Sequence, residues 1–310
     1  MFFLKKKLLK ENLIYKTSIN NLNNKKVTNF YKQNPFPNYK LNDNKSTIIE
    51  KGEKNYLTSN FKNFIGFDKD VLEVGCVTEQ FSMYFAIGTN NRVVGLNATL
   101  KSLELASDFA IKNNINNVNF VNSDIFDDPL QENFFDFIWC NGVLHHTKDP
   151  YGAFKVVVKY LKNQGYILVG LYNRFGRIRT ILKKYIYKIF GGERGLGVNI
   201  LSFLDKTLRN LKDNKKDKEA RVKDQYHRPI ESLHTIDEVL LWFSKHNIDF
   251  ISSIPSCAFE TDPYKDLFIK KSKGNFLSRI INQINMIFNN LDSDGGLFIV
   301  IGKKMNIKDN

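Results

Sequence analysis

From residue 70 onward, short apolar runs alternate with stretches of helical periodicity, and this alternation constrains the fold of the 310-residue chain more than any other feature. The runs at 70–74, 92–96, 118–121, 135–140 and 166–171 are rich in Val, Ile, Leu and Phe, as strands buried on both faces are. Between them Leu100, Leu103, Ala106 and Ala110 recur at helical spacing, and so do Phe154, Val157, Val158 and Leu161. Strand, helix and strand in repetition require right-handed crossovers, which predicts an α/β fold with a doubly wound, mostly parallel sheet. After a long break the pattern resumes with a helix over 235–246 and strands over 249–254 and 297–301, a final pair suited to an antiparallel edge. The expected sheet has seven strands.

Charge divides the chain differently. Residues 1–60 carry 12 Lys/Arg against 4 Asp/Glu, and residues 174–223 carry 15 against 5, so the net charge of +14 lies outside the strand-rich core. The organisation expected is a basic N-terminal arm or helical segment (1–60), a nucleotide-fold core (61–172), a basic helical insertion resembling a lid (173–234) and a C-terminal part of the sheet (235–310) holding a second insertion (256–290). Within the insertions, amphipathic helices are predicted over 178–190, 200–211 and 276–288, with Gly191 and Gly192 marking a break. Cys76, Cys140 and Cys257 lie far apart without CxxC spacing, which argues against a disulfide framework and a zinc site. Lysines occupy the place of a signal peptide's apolar region, and no uninterrupted apolar run reaches about 18 residues. A cytoplasmic protein is expected, with peripheral attachment to an anionic inner membrane face through the basic helices as an accompanying expectation. Nucleic acid is not an expected partner, since no RNA-binding module or aromatic-basic interleaving occurs.

The chemistry concentrates where the runs end. Val71-Leu72-Glu73-Val74-Gly75-Cys76 is a strand closing on a carboxylate and a glycine directly before a helix. A glycine there lets ligand approach the backbone, and a helix N-terminus offers free N–H groups to an anion. The second run ends at Asn97, the position of a ribose-binding residue in a doubly wound site, and the third leads into Asp124 and Ile125, which suit an adenine amino group and ring face. The fourth runs into Asn141-Gly142-Val143-Leu144-His145-His146. His145 or His146 is a candidate general base, His145 foremost, because an unperturbed imidazole titrates near neutrality; paired histidines in such a loop also pack and orient backbone. A strand-to-helix turn without any ligand is the plain structural alternative for Val71–Cys76.

In this order and spacing, VLEVGC, VVGLN, NSDIF and FDFIWCNGVLHHTKDP resemble the class I S-adenosylmethionine-dependent methyltransferases over roughly residues 65–172. A narrower similarity, to an uncharacterised bacterial subgroup, rests on Asn34-Pro35-Phe36-Pro37-Asn38-Tyr39, on Gly170-Leu171-Tyr172-Asn173-Arg174-Phe175-Gly176-Arg177 and on Asp224-Gln225-Tyr226-His227-Arg228-Pro229. The resemblance implies a seven-stranded Rossmann-like methyltransferase sheet with helical insertions. It implies S-adenosylmethionine as cofactor, held by Glu73, Gly75, Cys76, Asn97, Asp124, Ile125 and Asn141. Where that family has Gly-Cys-Gly-Thr-Gly, this chain has Val77 and Glu79 at the second and third glycines, and its ribose-binding position is Asn97 rather than a carboxylate.

The function expected is methyl transfer to a small molecule, with a lipid- or glycan-linked acceptor as the finer expectation. Tyr172, Asn173, Tyr226 and His227 are the candidate acceptor-binding residues, with His145 beside them, and no metal is expected. The alternative is a non-catalytic relative with weakened cofactor binding that serves as partner or scaffold, motivated by Val77, Glu79 and Asn97.

Overall fold

Val71, Leu72, Glu73 and Val74 are all buried, although successive strand residues point to opposite faces, so this strand is covered on both sides. The computed structural model describes residues 2–17, 39, 42–75, 80–192, 196–205, 208–209, 222, 226, 230–259, 264–288 and 296–306. Within them, nine strands make one sheet: β1 (Leu9–Glu11), β2 (Ile14–Lys16), β3 (Asp70–Val74), β4 (Arg92–Asn97), β5 (Val118–Asn122), β6 (Phe135–Asn141), β7 (Leu161–Tyr172), β8 (Ile248–Ile254) and β9 (Leu297–Lys304). Their order is β1-β2-β5-β4-β3-β6-β7-β9-β8. The run from β2 to β7 is parallel, while β9 lies between β7 and β8 and is antiparallel to both.

The predicted doubly wound sheet is thus present, with two more strands than the seven expected. The additional pair comes from the basic N-terminal segment. Ile14, Tyr15 and Lys16 pair with Phe120, Val121 and Asn122, covering the edge of β5, and β1 folds back antiparallel on the outside. Three-residue strands carry too little periodicity to separate from a lysine-rich arm. A second difference lies at β7, predicted from residue 166 but already paired at Leu161 with Phe135, so the preceding helix passes into the strand without a loop.

One face of the sheet is covered by α2 (Tyr56–Ile65), α3 (Gln80–Ala86) and α4 (Leu100–Lys112), whose Phe61, Ile65, Met83, Phe85, Leu103 and Ala106 pack on Val71, Val93, Phe120 and Trp139. The opposite face holds α5 (Pro150–Tyr160) and α8 (Ile236–Lys245), with Phe154, Val157, Val239 and Phe243 against Leu72, Val94, Ile138 and Val169. Local chemistry fixes the helix starts. Asp149 caps α5 by accepting from Gly152 N, with Pro150 inside the first turn, and Thr235 with Glu238 forms a capping box on α8. Among the described residues there are also α1 (Lys45–Lys54) beside α2, α6 (Ile178–Ile189) and α7 (Gly197–Leu204) in the first insertion, and α9 (Phe276–Asn285) in the second.

The first insertion has a small core of its own, made of Tyr187, Leu201, Leu208, Val222 and Tyr226. The helix predicted over 200–211 is interrupted after Leu204, because Asp205 takes an extended backbone and its carboxylate accepts from Leu208 N at 3.3 Å; Leu208 and Arg209 are helical again, and 206–207 and 210–211 lie outside the described residues. Among the described residues no helix is long and apolar enough to cross a membrane.

If β1 and β2 belong to the sheet, Ile14 is a core residue, being 4% exposed. Ile14→Ala should therefore lower stability in denaturant unfolding by about 2–4 kcal/mol; a change below about 0.5 kcal/mol, as at an exposed site, would show that the N-terminal strands are not part of the cooperative unit.

Candidate functional site

Register places the polar strand ends in a line. Val74 pairs with Leu96, Glu73 with Trp139, Asn97 with Asn122 and Asn141 with Gly170. One residue beyond Val74, the same level therefore reads Asn122, Asn97, Gly75, Asn141 and Gly170 across five adjacent parallel strands. Paired residues point to the same face, here the face covered by α3 and α4. This is the carboxyl edge, where open α/β sheets hold their ligands. Glu73 stands two residues back on that face.

Glu73 is wholly buried, and its Oε2 accepts from Ser82 N at 2.6 Å and from Ser82 Oγ at 2.5 Å. The carboxylate thereby joins the strand end to the first turn of α3. Gly75 has φ +71°, and a Cβ there would stand 2.2 Å from Val143 Cγ1, so conformation and packing both demand glycine. Its N–H donates to Leu96 O at 2.7 Å, locking the turn to β4. Cys76, Val77 and Glu79 lie outside the described residues.

Asn97 is buried and its Oδ1 accepts from Thr99 N at 2.9 Å, so its one side-chain acceptor is already engaged in an Asx turn. Asp124 caps the 3-10 turn Ile125–Asp127 by accepting from Phe126 N at 3.0 Å, and Ile125 is buried in the core at that turn. Asn141 lies against Gly170, where an added Cβ would come within 1.8 Å of Asn141 Oδ1. That oxygen is buried and accepts no hydrogen bond, and Gln80 Nε2, at the start of α3, is buried and donates none. A buried acceptor and a buried donor in this state carry a desolvation cost that a polar ligand relieves.

The acceptor-side candidates are placed differently. His145 is 0% exposed, with its ring centre 4.1 Å from that of Tyr172 and 4.1 Å from that of His146. A proton acceptor must reach its substrate, and this imidazole is walled in by rings. Its backbone carbonyl accepts from Ser232 N, and His146 Nδ1 donates to Ile230 O at 2.9 Å, so the pair fastens the chain returning from the first insertion. Tyr172 is also buried, under the Arg177 guanidinium at 3.9 Å from its ring centre. Asn173 is 0% exposed: its Nδ2 donates to Gln283 Oε1 at 2.8 Å, while its Oδ1 accepts from Phe175 N and Gly176 N. Those bonds tie the end of β7 to α9 rather than face an acceptor. Tyr226 lies in the small core of the insertion and donates to Asp205 Oδ2 at 2.9 Å, and His227 lies outside the described residues.

The structure adds a group that the sequence did not signal. Arg177, 1% exposed, pairs through Nε and Nη2 with both oxygens of Glu231 at 3.0 Å, closing the base of the first insertion. Asn173 bridges His234 at the same level. Only the folded path brings residues 54 positions apart into this fork. Beside it, burial above all holds His234 below the ordinary imidazole range, against the opposing pull of Glu238 and with Arg174 adding to the shift. Burial lowers His246 as well, reinforced by Lys155, Lys304 and Lys245. Among the described residues no three His, Cys, Asp or Glu side chains group as a metal site would require.

Residues 72–169 match a family model described as a methyltransferase domain. The uncharacterized methyltransferase YcgJ of Bacillus subtilis is 30% identical over 99 residues, which are 32% of this chain and 39% of that protein. The ubiquinone biosynthesis O-methyltransferase of Haemophilus ducreyi is 28% identical over 136 residues, 41% of this chain and 52% of the relative. The matched regions thus span about 39% and 52% of these two relatives. Among solved structures, PKMT2 of Rickettsia typhi superposes with a TM-score of 0.54 at 16% identity over 81% of this chain and 52% of that one. Its complex with AdoHcy gives 0.52 at 15% identity over 77% and 49%. At such identities the agreement shows the fold.

Two outcomes follow from the base of the insertion. Asn173→Ala leaves Gln283 and two backbone amides without their partner and should cost about 2–4 kcal/mol in denaturant unfolding; a cost below about 0.5 kcal/mol would remove Asn173 from that role. For the lowered histidines, the unfolded chain binds more protons between the ordinary imidazole pKa and the folded value, so their contribution is present above that range and lost as pH falls through it. The thermal midpoint should drop between about pH 7.5 and about pH 5.5, and His234→Gln with His246→Gln should flatten the drop. An equal drop in the double variant would place the titration elsewhere.

Proposed function

We propose that this chain, whose residues 72–169 match a methyltransferase-domain model, is a class I S-adenosylmethionine-dependent methyltransferase that transfers a methyl group to a small-molecule acceptor at the carboxyl edge of its sheet. The observation that carries the reading is the row Asn97, Gly75 and Asn141 with Glu73 behind it, together with the buried Asn141 Oδ1 and Gln80 Nε2 that make no hydrogen bond. These residues fit the cofactor. An acceptor and a donor await polar groups, and S-adenosylmethionine carries an ammonium, a carboxylate and hydroxyls.

In this reading Glu73 and Asn141 face the ammonium side and the Gly75 turn the carboxylate. Asn97 stands at the ribose. Asp124 and Ile125 stand at the adenine, the rigid 3-10 turn keeping that carboxylate in place. When bound, S-adenosylmethionine supplies a methyl group on a sulfonium, open to in-line displacement, so the protein's task is alignment and exclusion of water. His145, Tyr172 and Asn173 contribute as positioning residues. They hold the base of the insertion, and the insertion with the loop after β6 bounds the acceptor side. An acceptor with an apolar or lipid-linked part is supported by the exposed apolar side chains on α6 and α9 at this same edge.

A second reading, a non-catalytic relative serving as partner or scaffold, is favoured by Val77 and Glu79 in place of glycines and by the engagement of Asn97 Oδ1 with Thr99. A β-branched Val resists positive φ and close backbone approach, and a carboxylate at 79, if it faces the pocket, would repel the carboxylate of the methionine moiety.

Calorimetry with S-adenosylhomocysteine separates the two. The enzyme reading expects saturable binding, weakened about tenfold by Asp124→Ala and by Asn141→Ala, and strengthened by Val77→Gly with Glu79→Gly. Absence of binding at millimolar ligand would establish the second reading instead.

A further inference from the structure

Two insertion helices turn their apolar faces outward. On α6, Ile178, Leu182, Tyr185 and Ile189 recur at steps of four, three and four, which places them within about 60° of one another on the helix. All four are exposed, Leu182 by 57% and Ile189 by 78%, while the residue α6 buries is Tyr187 on the opposite side. The second insertion repeats the arrangement. Leu277, Ile281, Ile284 and Phe288, on α9 and the turn after it, follow the same steps, with Leu277, Ile281 and Phe288 exposed, Leu277 by 64% and Phe288 by 74%, and Ile284 half-buried. The side of α9 that faces the protein is polar along the helix, Ser278 Oγ donating to Cys257 O at 2.8 Å and Gln283 accepting from Asn173 and from Ile236 N, and it ends in the buried Met286. A helix that only packs on a core does the reverse.

The two helices meet. Arg179 Nη1 donates to Ile287 O at 3.3 Å, and a Cβ added to Gly176 would stand 3.2 Å from Met286 Cβ, so the start of α6 abuts the end of α9. Charge marks the surroundings. α6 carries Arg179, Lys183, Lys184 and Lys188, α9 carries Arg279, and neither helix holds an Asp or Glu. Among the described residues Asp205 pairs with Lys183, Asp237 with Arg279 and Glu238 with Arg174, so Lys184 and Lys188 are cations of α6 that lie outside these pairs. On the α6 wheel the cations flank the apolar stripe on both sides.

We infer that α6 and α9 form one face that docks on a bilayer surface containing anionic lipid. The apolar stripe enters the boundary between headgroups and acyl chains, and the flanking Lys184 and Lys188 reach back to the phosphates along their own methylene stems. Tyr185 and Phe288 supply the aromatic side chains favoured at that depth. The occupant follows from the combination. A nucleic acid would use the cations and leave the aliphatic stripe in water, and a second copy would bring one strongly basic face against another. Both helices leave the sheet at its carboxyl edge, α6 after Tyr172 and α9 before Leu297, so the bilayer would lie on the side of the proposed methyl-transfer site. Vesicle binding itself does not rest on the cofactor reading and is measured without cofactor.

The test is flotation of the full chain with phosphatidylcholine vesicles, with and without phosphatidylglycerol, at low and high salt. Binding is expected only with phosphatidylglycerol, to fall with salt, and to drop at least about tenfold in Leu182→Glu with Ile189→Glu and in Leu277→Glu with Phe288→Glu. These side chains are exposed, so folding is unaffected, as unchanged circular dichroism would verify. Lys184→Glu with Lys188→Glu should reduce binding while keeping the apolar stripe. No binding to phosphatidylglycerol vesicles at low salt overturns the inference. So does undiminished binding in both apolar double variants, or sedimentation velocity showing a dimer that those variants dissolve in place of vesicle binding.

Discussion

The register of β5, β4, β3, β6 and β7 sets both the core and the site. With Val74 opposite Leu96 and Glu73 opposite Trp139, the next residues Asn122, Asn97, Gly75, Asn141 and Gly170 reach one level on one face. A slip of one residue would reverse every side chain. Asn97 and Asn141 would then enter the core that now holds Val74, Leu96 and Cys140, and those apolar groups would line the edge. The hydrophobic pattern that stabilises the sheet is thus what forces polar groups to the carboxyl edge, and Gly75 completes the row because Val143 leaves no room for a side chain there.

A second set of contacts holds the parts outside the sheet to that edge. Asn173 bonds Gln283 of α9, Gln283 in turn accepts from Ile236 N at the start of α8, and Arg177 pairs with Glu231 where the first insertion returns. Each of these groups is buried or nearly so, and a buried polar network is stable only when its members are matched. The insertions therefore rest on a rigid base even though the first has a small core of its own.

The parallel strands were legible because strands buried on both faces read as apolar runs, and β3 to β6 differ from the sequence expectation by at most one residue at an end. β1 and β2 were not legible, being three residues each in a lysine-rich segment. At the site, Glu73, Asn97, Asp124 and Asn141 could be singled out because they end apolar runs. Asn122, Gly170 and Val143 could not, since their place depends on pairing between strands that periodicity does not encode. His145, Tyr172 and Asn173 were read as acceptor-facing from their position after strand ends. The structure instead engages them in ring packing and hydrogen bonds at the base of the insertion, a choice made by residues such as Gln283 and Ser232, many positions distant.

The apolar stripes of α6 and α9 could be seen in sequence as amphipathic patterns, but not the direction they face, which Tyr187, Ser278 and Gln283 determine by packing inward. The central claim remains the edge itself. A crystal structure of the protein with S-adenosylhomocysteine tests it most directly. The account predicts ligand density over Gly75, with its ribose at Asn97, its adenine beside Asp124 and Ile125, and a polar group on Asn141 Oδ1. A well-ordered edge with no ligand at saturating concentration, or ligand bound elsewhere on the molecule, would contradict it.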